Sequence, residues 1–167
     1  MQLTVNLTDD IGEMKLFLLY FYPLTKEKWA AMKIKRLNLT VLPDRYGICR
    51  LEPDISVPDW VYKSSFFSVT RTPDELSVVC AEALIPGDKS SDKGWRCLKV
   101  QGPLDLAETG ILSSLALPLA RAGVSIFALS TYDTDYLLVK ESSLINTIEA
   151  LDSEGYRVTY EYTEGND

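Results

Sequence analysis

The stretch FALSTYDTDYLLVK, residues 127–140, sets two apolar runs around a polar knot of Ser130, Thr131, Tyr132, Asp133, Thr134 and Asp135. VSIFALS (124–130) and YLLVK (136–140) read as strands, so the knot lies in a hairpin turn. Strands that only build a sheet have little use for six consecutive polar or hydroxyl-bearing positions. Asp and Thr are common in turns because their side chains bond the local backbone, and that chemistry alone explains much of the knot. A ligand-binding duty stands beside it as the second reading.

Outward from the hairpin, the periodicity changes from two to that of a helix. On the C-terminal side, SSLINTIEALDSEG (142–155) is an amphipathic helix capped by Ser142 or Ser143, and YRVTYEY (156–162) is a final strand. On the N-terminal side, TGILSSLALPLARAG (109–123) places Ile111, Leu112, Leu115, Leu119 and Ala122 on one helical face. Thr109 or Gly110 opens this helix and Gly123 closes it, while Pro118 removes one backbone hydrogen bond and predicts a kink. WRCLKVQG (95–102) is a strand. The order from Trp95 is therefore βαββαβ, the ferredoxin-like unit.

The first half of the chain is less regular. RLNLTVL (36–42) alternates Leu37, Leu39 and Val41 on one face, and Pro43-Asp44 is expected to end that strand. YGICRLE (46–52) is a second extended piece, and PDISVPDW (53–60) a loop or a single helical turn. FFSVTR and ELSVVCAEAL flank TPDE (72–75), a hairpin turn between β-rich runs. PGDKSSDKG (86–94) reads as a flexible link and marks the boundary between two units. Laid without gaps at an offset of 60, FSVTRTPDELSVVC (67–80) sits over FALSTYDTDYLLVK. Phe67 then falls on Phe127, Thr70 on Ser130, Glu75 on Asp135 and Val79 on Val139, so the chain looks like two related hairpin-centred units.

Composition narrows the function classes. The 167 residues carry 17 basic against 24 acidic side chains and no histidine, for a formal charge of −7. Nucleic acid and anionic membranes are disfavoured as partners. Absence of histidine removes the commonest general base, and no nucleophile and base pair, metal cluster or phosphate loop replaces it. Cys49, Cys80 and Cys97 are widely spaced and read as small buried residues in a reducing compartment. LFLLYFY (16–22), closed by Pro23, is too short to cross a bilayer and lacks the flanks of a secretory signal.

Two such units paired edge to edge place the loop between the first strand and first helix of one beside the hairpin of its neighbour, making a cleft. The amides of Gly110, Ile111 and Leu112 suit a carboxylate there. The groups around Ser130 to Thr134, with Asp135 or Glu108, suit an ammonium or guanidinium. Such a cleft fits a free amino acid.

LDLAETGILSSLALPLARAGVSIFALSTYDTDYLLV strongly resembles the second domain of small tandem ACT-domain proteins, and FFSVTRTPDELSVVC resembles their first. The pattern is also similar to the ACT domains of the animal CASTOR arginine sensors, and the resemblance covers about residues 36–160. It implies an α+β fold of two tandem ACT units, each a ferredoxin-like βαββαβ, the first irregular, with sheets packed side by side. Residues 1–33 would be an N-terminal extension of unknown role, 34–90 the first ACT-like unit, 91–162 the second and 163–167 a tail. The family binds amino acids at domain interfaces and regulates without chemistry. Carried over, Glu108, Gly110 and Ile111 hold the α-amino and carboxylate end. Thr131, Tyr132 and Thr134 line the hairpin side beside Ser130 and Asp133, and Asp135 takes the cationic end or the ammonium. The expectation is a cytoplasmic, homodimeric amino-acid sensor acting on a protein partner, not an enzyme, with no metal or cofactor. The alternatives are a ligand-free dimerisation module and a regulatory domain related to aspartate kinase.

Overall fold

Leu37, Leu39 and Val41 do alternate into a buried row, yet their strand does not stop at Pro43. In the computed structural model, which describes residues 37–161, β1 runs Asn38–Leu51. A proline removes one ladder donor and is tolerated in a sheet at a bulge. Pro43 occupies such a place, because Val41 pairs with Leu98 and Arg45 with Arg96, which leaves 42–44 of β1 opposite one residue. RLNLTVL and YGICRLE are halves of one strand. The expectations for residues 1–33 and 163–167 lie outside the described residues.

The remaining elements are β2 (Ser68–Arg71), β3 (Leu76–Ala81), β4 (Ser91–Val100), α1 (Ile111–Arg121), β5 (Ile126–Ser130), β6 (Asp135–Lys140), α2 (Leu144–Ser153) and β7 (Arg157–Tyr160). From β4 onward they follow the expected βαββαβ order. Ser91 to Gly94, read above as part of a link, instead open β4, with Ser91 opposite Cys49 and Asp92 opposite Ile48. Gly94 takes φ +76° at an irregularity in that ladder, a backbone that other residues adopt only at a cost. Ser143 is the residue before α2, as expected, but its side chain makes no cap bond. A short 3-10 turn, Glu141–Ser143, leads into the helix instead.

The strands form one sheet in the order β2-β3-β1-β4-β6-β5, antiparallel throughout, with β7 added parallel to the start of β1. β1 is shared: Tyr46 to Leu51 pair with β3, Asn38 to Val41 pair with β7, and β4 lies along the other edge of both halves. α1 and α2 cover one face of the β7, β1, β4 and β6 region, burying Leu39, Leu98, Leu115, Leu119, Leu137 and Leu151 completely. Tyr46, Trp95, Cys97, Leu138 and Val79 form a second core on the opposite face. Cys49, Val61, Leu76, Val78 and Cys80 form a third, between the first hairpin and the irregular segment that follows β1.

These cores correct the alignment of the repeat by one residue. Both hairpins close on four-residue turns, Arg71 pairing with Leu76 and Ser130 with Asp135, so the structural offset is 59. At 59, Val79 falls on Leu138, and both belong to the same core. At 60 it falls on Val139, which faces the helices. A slip of one residue turns every side chain to the other face.

Candidate functional site

The knot is first of all a tightly built turn. Thr131 donates from its backbone N and its hydroxyl to the carbonyl of Thr134, each at 2.8 Å, and its Oγ1 accepts from the amide of Thr134. Thr134 is buried and donates its own hydroxyl to the carbonyl of Val100 at 2.6 Å. The amide of Leu104 then reaches the carbonyl of Asp133 at 2.8 Å. These bonds dock the turn on the segment leaving β4. Gly102 permits the approach: a Cβ there would stand 2.7 Å from the Asp133 carbonyl.

Across from the turn, the chain prepares the start of α1. Asp105 Oδ1 accepts from the amide of Ala107 at 2.9 Å, and its carbonyl accepts from Glu108 at 2.8 Å. Gly110, at φ +87°, then takes the left-handed conformation that other residues enter with strain. The first helical bond runs from Ser114 to the carbonyl of Gly110, so the amides of Ile111, Leu112 and Ser113 have no partner within the helix. They carry the positive end of the helix dipole.

Between these two pieces lies a cleft of about 300 Å³. Of the nine residues singled out from the sequence, Glu108, Gly110, Ile111, Ser130, Thr131, Tyr132, Thr134 and Asp135 line it. Asp133 does not, and borders a larger trough on the helix-free face of the sheet. The lining holds three carboxylates, of Asp105, Glu108 and Asp135, and no lysine or arginine. Ser130 Oγ donates to Asp135 Oδ1 at 2.5 Å, which fixes that carboxylate at the hairpin base. Tyr132 is 79% exposed at the rim, with Leu106 at 69%. Helix-start donors with Asp105 and Glu108 on one wall and Asp135 on the other can hold a zwitterion that carries an extra positive charge.

A family model for the ACT domain matches residues 90–153, which contain the whole cleft. That stretch of the chain is similar to the ACT domain. A second model, that of an N-terminal domain, matches residues 44–88. The chain is 34% identical over 103 residues to the cytosolic arginine sensor for mTORC1 subunit 1 of Bos taurus, a match covering 55% of this chain and 31% of that protein. It thus spans about a third of the length of the curated relatives first matched. A crystal structure of a protein from Agrobacterium tumefaciens superposes with a TM-score of 0.74 at 41% identity, covering 80% of this chain and 99% of the other. Aspartate kinase from Synechocystis superposes at 0.53 and 14% identity, over 78% of this chain and 28% of the enzyme, which shows a shared fold.

Within the ACT domain, the sequence reading missed Leu104, Asp105, Leu106 and Ser113, all of which line the cleft. Asp105 had a signal: an Asp two residues before a helix-entry region commonly turns the chain by bonding the amide two ahead. The three cysteines are buried in the sheet. Burial pushes the Cys80 thiol up to about 11 and the Cys97 thiol up to about 12. Among the described residues, no group of three or more Cys, Asp and Glu is placed to hold a metal ion, and no helix is long and apolar enough to cross a membrane.

Proposed function

We propose that this chain is a non-catalytic regulatory protein that senses a small amino acid with a cationic side chain. The observation that carries the reading is the cleft of the ACT domain, where the helix-start amides, with Glu108 and Asp105 beside them, lie across from the carboxylate of Asp135. The α-carboxylate of the ligand lies against the amides of Ile111 and Leu112. Its ammonium and side-chain cation go to the acidic groups, Asp135 first. A volume of about 300 Å³ suits one amino acid and not a nucleotide.

The similarity to cytosolic arginine sensors supports this class of ligand and a cytoplasmic, regulatory role upon a protein partner. The repeated hairpins support two related ACT units, meeting at the shared strand β1 in place of two separate sheets. A homodimer would complete the exposed rim at Tyr132 and Leu106. β5, unpaired on its outer side among the described residues, offers an edge for that assembly.

The experiment is a thermal-shift screen of the full chain against the twenty amino acids, with Asp135→Ala alongside. A ligand at about a hundred times its Kd stabilises the native state by roughly 2.7 kcal/mol and raises the midpoint by several degrees. Arginine or lysine should do so, and the variant should not respond. A flat screen of a well-folded dimer would instead favour an assembly module without a ligand.

A further inference from the structure

The two hairpins treat their neighbouring segment differently. At the offset of 59, Arg71 occupies the place of Ser130, and the TPDE turn that of 131–134. The ladders extend the match to β1 and β4: Arg50 lies opposite Ser77 as Lys99 lies opposite Tyr136. Ile55, four residues beyond Leu51, then corresponds to Leu104, four beyond Val100. Ser130 and Leu104 are both walls of the ACT-domain cleft. Their counterparts are joined: Arg71 Nη2 donates to the carbonyl of Ile55 at 2.8 Å.

We propose that the first unit holds a guanidinium site filled in cis by its own Arg71, so that the chain takes one free effector and not two. Serine at the matching position of the second unit is too short to cross the gap, and a cleft remains there. Arginine spans it and donates to a backbone carbonyl, as an incoming guanidinium would. Among the described residues Arg71 makes no ion pair, so this carbonyl is the partner that positions it. Arg50 works on the other side of the same turn, bonding the Asp74 carbonyl at 2.9 Å and Glu75 at 3.0 Å. Two arginine bridges thereby hold the first hairpin where direct backbone contact holds the second.

The test compares Asp135→Ala with the double variant Asp135→Ala/Arg71→Ala, so that any response of the ACT-domain cleft is removed from both. The double variant should melt about 3 °C lower than the single one. Guanidinium chloride at about 10 mM should restore part of that loss, while sodium chloride at the same concentration should not. Arg71→Lys, a point cation on a similar stem, should lose less than Arg71→Ala. Equal midpoints for the two proteins, or an equal response of both to guanidinium, would overturn the proposal. Because the comparison is internal to the Asp135→Ala background, it stands whether or not the second cleft binds an amino acid.

Discussion

The ring of Phe66 lies on the ring of Tyr136 with centroids 4.6 Å apart and planes tilted by 35°. Tyr136 follows Asp135 directly, and Phe66 belongs to the irregular segment between β1 and β2, so one aromatic contact joins the hairpin of the ACT domain to the first unit. Tyr46 meets the edge of the same phenyl ring at 5.5 Å. The segment is itself fixed, because Ser64 Oγ donates to the Phe66 carbonyl at 2.6 Å and accepts from the amide of Ala81 at 2.9 Å. A shift of the hairpin therefore has a packed route to β3.

Phe66→Ala should cost about 2–3 kcal/mol in urea unfolding, because a large half-buried ring leaves a gap that the sheet face cannot close. A double-mutant cycle with Tyr136→Ala should return a coupling of about 0.5–1.5 kcal/mol. A coupling near zero would mean the rings are neighbours without energetic contact.

Much of this architecture was legible before any coordinates. Periodicity located both helices, the two hairpins and the βαββαβ order, since each of those elements buries one face of a regular repeat. The failures share a cause, which is pairing between distant residues. Pro43 looked like a terminator because a proline cannot donate, and only the ladder with β4 shows that nothing was asked to pair there. Offsets of 60 and 59 each give two identities over residues 67–80, whereas the faces of Val79 and Leu138 are set by what packs across the sheet. In the cleft, residue types suggested donors and acceptors, while Leu104 and Leu106 became walls through the docking of Asp133 on the segment after β4.

Gly102→Ala should displace the hairpin from that segment. Its new methyl would meet the Asp133 carbonyl at 2.7 Å and Thr134 Cβ at 3.3 Å. The expected cost is about 1–3 kcal/mol, together with a weaker amino-acid response. Gly110→Ala should cost about 1–2 kcal/mol through its positive φ alone. A Gly102→Ala protein with unchanged stability and response would show that the turn is not docked as tightly as its hydrogen bonds imply.

Thr134 and Tyr132 separate the structural from the exposed part of the knot. Thr134→Val keeps the shape but removes the bond to the buried carbonyl of Val100, and should cost about 1–3 kcal/mol. Tyr132→Ala, at a site 79% exposed, should change stability by less than about 0.5 kcal/mol. Chemical denaturation of the two variants beside the parent protein measures both. Equal losses would erase the distinction.

The buried thiols set the behaviour in base. Cys97 and Cys80 have folded values raised to about 12 and about 11 from 9.0, in both cases mainly because burial disfavours the thiolate; the Tyr46 phenol is raised for the same reason. The neutral thiol is thus favoured by the fold, so its contribution is fully present below pH 9 and is lost as pH rises through about 11 to 12. Urea midpoints should hold steady in this respect up to pH 9 and fall beyond it, with Cys97→Ala showing a shallower decline. At pH 8 all three thiols should resist a thiol-specific reagent until urea is added, because the thiolate is the reactive form and burial withholds it. Rapid labelling of the native protein at pH 8 would place at least one cysteine outside the packed sheet.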